Sequence, residues 1–158
     1  MLAIITDSTC DIPEAMIEHH GIIVVSHVII WGDEQFRDRV DLKPQEFYQR
    51  LREDDRRPTT AQAGVGDFLE AIEQAQSQGA TEALILTVSS AMSGAYNMAR
   101  TAAEKAEIPV RVVDSNGPSM SLGWQVLAAA RARDEGADMS EILARVNRVR
   151  DKMVQVVA

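Results

Sequence analysis

The chain has 158 residues, of which 46% are hydrophobic and 25% charged, a composition typical of one globular domain with its own core. Its formal net charge of -8 argues against nucleic acid or an anionic membrane surface as the main partner, because both require a basic face. The single cysteine, Cys10, excludes an internal disulfide and any multi-cysteine metal site.

The sequence shows neither a secretory signal nor an apolar stretch long enough to cross a bilayer, so we expect a cytoplasmic protein without a membrane span. The histidines, His19, His20 and His27, form no pair at metal-ligand spacing on one helical face. Nothing specifies a nucleophile–base–acid triad. We therefore predict no metal, no cofactor and no catalytic residue.

The N-terminal region predicts a strand followed by a helix. Leu2–Thr6 is a short apolar run that leads directly into the polar segment Asp7–Thr9. A helix is predicted over Pro13–His20, with Asp11 as its cap and Gly21 at its end.

The next region predicts a strand and a hairpin. The β-branched run Ile22–Trp31 indicates a central strand that Ser26 and His27 interrupt. After a turn at Gly32-Asp33, the segment Glu34–Arg39 is expected to pair back as an exposed edge hairpin, which its charges suit.

Two further helices are predicted before the middle of the chain. Lys43–Glu53 has apolar residues at helical spacing. Thr59–Gly64 is expected to be a hydroxyl-bearing loop, followed by a helix over Val65–Gln78 that Gly79 ends.

The stretch Leu84–Tyr96 organises our interpretation of the chain. An apolar run predicts a buried strand, a cluster of hydroxyls and a glycine follows it, and an alanine-rich helix comes next. Backbone N–H groups at a helix start have no partner within the helix, and the hydroxyls of Ser89, Ser90 and Ser93 would add donors for an anion or a carboxylate. The simpler alternative is that Ser90 or Ser93 caps the helix.

The C-terminal region repeats this order. Val110–Val113 predicts a third buried strand, which ends in the turn Asp114–Pro118. A helix over Ser119–Glu135 is closed by Gly136, and Ser140 is expected to cap a last helix.

Strands that alternate with helices predict an α/β fold, with a mainly parallel sheet, helices on both faces and a small edge hairpin, in one domain over residues 1–158. Ligands of such sheets bind outside the carboxyl ends of the strands. Four hydroxyl-rich loops are expected to meet there and to form a ligand site. Their residues are Asp7, Ser8 and Thr9; Thr59 and Thr60; Ser89, Ser90 and Ser93; and Asp114 and Ser115.

These residues resemble the first domain of the DegV family of bacterial fatty-acid-binding proteins. The resemblance covers nearly the whole chain in the correct order. It rests on Ile5–Thr9 with Asp11, Arg37-Asp38, Glu46–Tyr48, Thr60–Gln62, Ser89–Tyr96, Val113–Ser115 and Gly123.

The resemblance implies that the protein is a carrier rather than an enzyme. Its ligand would be a long-chain fatty acid, whose carboxylate Thr60 and Ser93 would hold. The loops around that carboxylate would be shaped by Asp7, Ser8, Gly94 and Ser115. In bacteria with the fatty acid kinase system, such proteins present the acid to a separate ATP-using kinase, which makes an acyl phosphate.

The sequence departs from the family pattern at several motifs. Ala61 stands where the family usually has Ser, Ala63 where it has Pro, and Ala95 where it has Thr. Ser26-His27 replaces the usual Pro-Leu. The family also has a second domain of comparable size, which we expect to be absent from this chain.

The acyl chain has two candidate environments in the sequence. The alanine-faced helix would leave space beside the sheet, or would instead pack closely on it. Four methionines, Met16, Met92, Met98 and Met120, would line an adaptable apolar tunnel or belong to the ordinary core.

Two other functions remain open from the residues. An α/β enzyme that handles phosphate or nucleotides would use the same rim, with Asp7 and Asp114 holding Mg²⁺. A module that only docks with a partner, or that forms a homodimer, would expose an apolar patch. The candidate parts of that patch are Trp31, Trp124, Val154, Val156 and Val157.

Overall fold

The computed structural model of the protein describes residues 1–156, which form a four-stranded sheet and a three-stranded sheet with helices around them. The strands are β1 (Leu2–Asp7), β2 (Ile23–Val25), β3 (Val28–Trp31), β4 (Glu34–Arg37), β5 (Thr59–Ala61), β6 (Glu82–Thr87) and β7 (Val110–Asp114). The helices are α1 (Glu14–His20), α2 (Pro44–Glu53), α3 (Val65–Ser77), α4 (Ala95–Lys105), α5 (Met120–Asp134) and α6 (Met139–Lys152), and a short 3₁₀ turn spans Ser8–Cys10.

The larger sheet is parallel throughout and has the order β2-β1-β6-β7. Every residue of β1 is buried, as are five of the six in β6, because helices cover both faces of these central strands. Helices α3 and α4 pack together on the sheet, while α5 packs on it with α1 and α6 as neighbours. The predicted α/β fold with a mainly parallel sheet is confirmed.

The smaller sheet is antiparallel, with β3 between β4 and β5. The hairpin of β3 and β4 confirms the predicted edge hairpin. This sheet has its own small core, in which Phe47 and Leu51 of α2 pack against Ile29, Trp31 and Leu42. Trp31 is fully buried there, so its predicted place in an exposed apolar patch is wrong.

The prediction of one central strand over residues 22–31 is also wrong. The chain leaves the parallel sheet after β2, which is an edge strand, and enters the other sheet with β3. At the break, the His27 N–H donates to the Ser8 hydroxyl and the His27 carbonyl accepts from the Asp38 N–H. These bonds replace those of a continuous strand ladder, so the chain changes sheets at the interruption within the β-branched run.

Thr59–Ala61 is a strand rather than the predicted loop. Its residues pair with β3, so that Thr60 lies opposite Ile29. The segment is polar and exposed along its length and shows no alternation of apolar residues. Only its pairing with a distant strand makes it regular, and that pairing is not a local property of the sequence.

Two predicted helix caps are wrong. Asp11 has a left-handed backbone conformation at the end of the 3₁₀ turn and accepts a hydrogen bond from the Ser119 hydroxyl, instead of capping α1. Helix α6 is capped by Asp138, whose carboxylate accepts the Glu141 N–H while the Glu141 side chain accepts the Asp138 N–H. This reciprocal pair satisfies two donors at once, which Ser140 cannot do from inside the first turn.

The alanine-rich face of α4 packs closely on the sheet. Ala95, Ala99 and Ala102 are fully buried in the main core. Met98 also packs against this core, as do Met16 and Met120. Of the two alternatives for this helix face, close packing on the sheet is therefore the one that the structure shows.

Exposed apolar side chains occur near the C-terminus, where they were expected. Trp124 is 49% exposed, and Val154 and Val156 are each 90% exposed. Val157 lies outside the described residues. Within residues 1–156, no helix combines the length and the apolar character that crossing a bilayer requires.

Helix α5 approaches the 3₁₀ turn so closely that position 123 has no room for a side chain. A Cβ atom at Gly123 would lie 2.4 Å from the Cys10 carbonyl oxygen and 3.2 Å from an Ile12 side-chain carbon. The contact is with backbone, so relief requires the helix to move. We predict that Gly123→Ala lowers the free energy of unfolding by about 1–3 kcal/mol, measured by urea denaturation.

Gly66 in α3 is the matched control, because a Cβ there would meet nothing within 4 Å. Gly66→Ala should leave stability unchanged or raise it by up to about 1 kcal/mol, since alanine is the better helix former. Equal effects of the two substitutions would contradict the close approach of α5.

Candidate functional site

The carboxyl ends of β1 and β6 are joined by the carboxylate of Asp7. This side chain is fully buried. One oxygen accepts the Thr9 N–H at 3.0 Å and the Thr9 hydroxyl at 2.6 Å, and the other accepts the Val88 N–H at 2.7 Å. Asp7 therefore fixes the two loops that begin at this rim.

His27 connects the same carboxylate with the antiparallel sheet. Its Nδ1 accepts the Ala63 N–H at 3.1 Å, so the neutral ring carries its proton on Nε2. That nitrogen is buried and lies 3.3 Å from Asp7 Oδ1. Burial by itself would raise the pKa of Asp7, but His27, Thr9 and the Val88 N–H together bring this pKa below its usual value.

The loop after β6 uses its backbone N–H groups within the protein. Ser90 N–H donates to Asp114, Gly94 N–H to the Gln62 side chain, and Ala95 N–H to the Ser93 hydroxyl. The remaining N–H groups from residue 88 to 93 also have acceptors, which are the carboxylate of Asp7, the carbonyl of Gly117 and the hydroxyl and carbonyl of Ser89.

The N–H groups of residues 88–95 are therefore engaged within the protein, and the expectation that this loop and helix start hold an anion stays a prediction. Acceptor oxygens of Asp7, Gln62, Asp114 and Gly117 occupy these N–H groups through tertiary contacts. Side-chain hydroxyls remain as its available donors. Because these N–H groups already have acceptors, they also give no support to a phosphate-handling site built on them.

The loop after β7 is also tied internally. The Ser115 hydroxyl is buried and donates to the Gly117 carbonyl at 2.8 Å, and the Ser115 carbonyl accepts from Gln125. The Asp114 carboxylate accepts the N–H groups of Ser90 and Asn116. These two residues hold the turns of the rim together.

A cavity of about 520 Å³ lies between the two sheets, next to this rim. Its polar lining consists of Thr9, Asp11, His27, Asp38, Thr60, Gln62 and Ser93. Its apolar lining includes Ile29, Phe47, Tyr48, Val88 and Met92. Thr60 and Ser93, the two predicted carboxylate ligands, thus line one cavity although they are distant in sequence.

The other predicted site residues lie around this cavity rather than in its wall. Gly94 follows Ser93 and contacts Gln62. Asp7, Ser89 and Ser115 are buried and make the internal hydrogen bonds described above. The Ser90 side chain is exposed. The assignment of all these residues to a ligand site stays a prediction.

Ser8 lines a second, more polar cavity of about 520 Å³, which shares Asp11, Asp38 and Pro44 with the first. Burial raises the pKa of Asp38, while the Ser8 hydroxyl, Arg39 and His27 act against that shift. Two acidic residues, Asp11 and Asp38, are thus common to both cavities, and the partly buried Arg39 and the exposed Lys43 line the second.

Sequence reasoning missed two residues of this region. His27 was noted as an interruption of a strand and as a departure from the family pattern, but it was not assigned to the site, although a histidine inside a β-branched run was itself a signal. Gln62 was seen only as part of a motif, and nothing local indicates that its amide reaches Gly94. Within residues 1–156, no three His, Cys, Asp or Glu side chains are grouped in a way that could hold a metal ion.

We predict that Asp7→Asn lowers the free energy of unfolding by about 2 kcal/mol or more at neutral pH, because a buried acceptor of several donors is lost. The pKa of folded Asp7 is depressed, so its stabilisation is fully present above its unfolded pKa of about 4 and is lost as the pH falls through the folded pKa. The difference from the unmodified protein should therefore shrink below about pH 4 in a urea-denaturation series. Asp55→Asn, in an exposed loop, should change stability by less than about 0.5 kcal/mol at every pH.

Comparison with known proteins finds relatives that all belong to one family. The DegV family model matches residues 1–158. A DegV domain-containing protein of Caldanaerobacter subterraneus subsp. tengcongensis is 40% identical over 147 residues, which make up 92% of this chain and 51% of that protein. The chain spans about half the length of the curated relatives it matches.

Solved structures show the same fold. A DegV family protein from Thermus thermophilus, characterised as fatty acid binding, has a TM-score of 0.85 at 31% identity and matches 95% of this chain and 53% of its own. A DegV lipid binding protein from Thermotoga maritima has a TM-score of 0.87 at 31% identity, over 96% of this chain and 55% of its own. With a family model matched from the first residue to the last, this chain belongs to the DegV family.

Proposed function

We propose that this protein binds a long-chain fatty acid in the cavity between its two sheets, with the carboxylate at Thr60 and Ser93. The observation that carries the proposal is the cavity itself, which combines two hydroxyls with an apolar wall. A volume of about 520 Å³ is within the range of small-molecule sites in proteins.

The two hydroxyls are suited to a carboxylate. The Ser93 oxygen already accepts the Ala95 N–H, so its proton is available for donation to a ligand. Thr60 lies opposite Ile29 in the strand pair, and both line the cavity, since directly opposed residues point to the same face. Hydrogen bonds to an ionised acceptor are stronger than those between neutral groups.

The apolar wall offers a surface for the acyl chain. Tyr48 is 59% exposed and Met92 is 58% exposed, although both are large apolar side chains at the cavity. Covering such surface is favourable by about 25 cal/mol per Å². Methionine also adapts its shape to an apolar ligand, which fits Met92 for this role.

The relatives support the same function. Fatty acid binding is reported for the Thermus thermophilus protein and lipid binding for the Thermotoga maritima protein. DegV of Bacillus subtilis, with a TM-score of 0.87 at 25% identity, is likewise a fatty acid binding protein. We extend this activity, a binding activity rather than a catalytic one, to the present chain as part of the proposal.

A finer part of the proposal concerns partners. The bound acid would be presented to a separate fatty acid kinase in the cytoplasm, which the family resemblance suggests. Formation of an acyl phosphate from this protein, palmitate, ATP and a fatty acid kinase tests that step.

Self-association to a homodimer also stays a prediction, which sedimentation velocity would test.

The first test of the function is mass spectrometry of the purified protein, both native and after organic extraction. A co-purifying long-chain acid would support the proposal and would identify the acyl class. If the protein carries no acid and also fails to take up palmitate when it is supplied, the proposed function is wrong.

We predict that Ser93→Ala weakens palmitate binding by about tenfold or more, because a hydrogen bond to a charged group is worth about 1.5–3 kcal/mol. Calorimetric titration would measure the change. Ser140→Ala, at an exposed position of α6, is the control and should bind palmitate as the unmodified protein does. Unchanged binding by the Ser93 variant would remove this residue from the site.

Thr60→Val is predicted to weaken palmitate binding by a similar factor, about tenfold, while the shape of the side chain is kept. Its neighbour Thr59 provides a matched control, because successive strand residues point to opposite faces. Thr59→Val should therefore leave binding unchanged. If both valine variants bind equally, the carboxylate does not lie at Thr60.

A further inference from the structure

The side-chain amide of Gln62 is held in one orientation. Its Oε1 accepts the Gly94 N–H at 2.9 Å. Because a backbone N–H can only donate, the amide oxygen must face Gly94, and this fixes the position of the Nε2 group. No hydrogen-bond acceptor for Nε2 is present within residues 1–156, so both of its protons are available.

Gly94 makes this arrangement sterically possible. A Cβ atom there would lie 2.5 Å from Gln62 Nε2 and 2.7 Å from Oε1. The backbone of Gly94 has φ -75, which any residue adopts, so the glycine is needed for space rather than for conformation. The amide therefore lies directly on the backbone next to Ser93.

Gln62 belongs to the same cavity as the two hydroxyls. It lines the cavity wall together with Thr60 and Ser93. Along the extended chain it is two residues beyond Thr60, and residues at this spacing point to the same side. Across the cavity, its bond with Gly94 places it one residue from Ser93.

The charges around the cavity mean that a ligand carboxylate needs neutral hydrogen-bond donors. The ionisable groups in its lining are Asp11, Asp38, Tyr48 and His27, whose proton faces Asp7. No lysine or arginine is among the lining residues that the structure describes. A ligand carboxylate would therefore meet two acidic side chains, and its stabilisation by this chain depends on uncharged donors.

We propose that Gln62 is a third ligand of the head group and that it selects fatty acids over lipids whose head groups offer fewer acceptors. Its Nε2 donates to the carboxylate, while Gly94 orients the amide. This inference rests on the proposed function. Gln62 would join Thr60 and Ser93 as a ligand, but it would donate from an amide rather than from a hydroxyl.

The test compares two substitutions that separate binding from support of the loop. Gln62→Glu keeps an acceptor for the Gly94 N–H, removes both donors and adds a negative charge beside the ligand. Gln62→Met removes the donors and also the acceptor, without adding charge. Palmitate and 1-hexadecanol would be measured by displacement of a fluorescent fatty-acid analogue, and folding by thermal denaturation.

We expect Gln62→Glu to weaken palmitate binding more than Gln62→Met, by about tenfold or more against about threefold to tenfold. The affinity for hexadecanol should change by less than about threefold in the Glu variant, since this head group carries no charge. Both variants should remain folded, because Gln62 is exposed.

The reverse order would overturn the inference. If Gln62 only supports the Gly94 loop, Gln62→Met becomes the weaker binder, for hexadecanol as well as for palmitate. Equal losses for palmitate and hexadecanol in the Glu variant would also contradict a head-group role. Failure of the unmodified protein to bind palmitate would overturn the proposed function itself, and this inference with it.

Discussion

The structure depends on one buried carboxylate. Asp7 ends the first strand and reaches the N–H of Val88, 81 residues later, as well as the turn at Thr9. It also faces the Nε2 of His27, where the chain passes from one sheet to the other. A buried charge is tolerated only when it is fully hydrogen-bonded. The contacts of Asp7 therefore depend on one another, and together they position the loops around the cavity.

The cavity exists because the chain leaves the parallel sheet and returns to it. The departure is at Ser26-His27, and the return is at Gln62-Ala63, where the Ala63 N–H donates to His27. Between these points the smaller sheet and α2 form a separate core around Trp31. The cavity lies between the two packed bodies, with Ile29 and Thr60 of the smaller sheet on one side and Val88, Met92 and Ser93 of the loop after β6 on the other.

The proposed ligand site at this rim depends on side chains. Every N–H group from residue 88 to 95 already has an acceptor within the protein, so this part of the rim has no free N–H group for an anion. The hydroxyls of Thr60 and Ser93 and the amide of Gln62 remain, beside the acidic residues Asp11 and Asp38. Uncharged donors in acidic surroundings favour a ligand that contributes much of its affinity through its apolar part.

The sequence by itself determined the α/β class, the parallel sheet and most helix and strand positions, because apolar periodicity and glycine stops act locally. It also indicated that Thr60 and Ser93 belong together, through the family resemblance. Only the tertiary structure decided that Thr59–Ala61 is a strand, that His27 divides two sheets and that Gln62 lies on Gly94. Each of these rests on tertiary contacts, such as those of His27 with Ala63 and of Gln62 with Gly94, and no local pattern encodes such pairings.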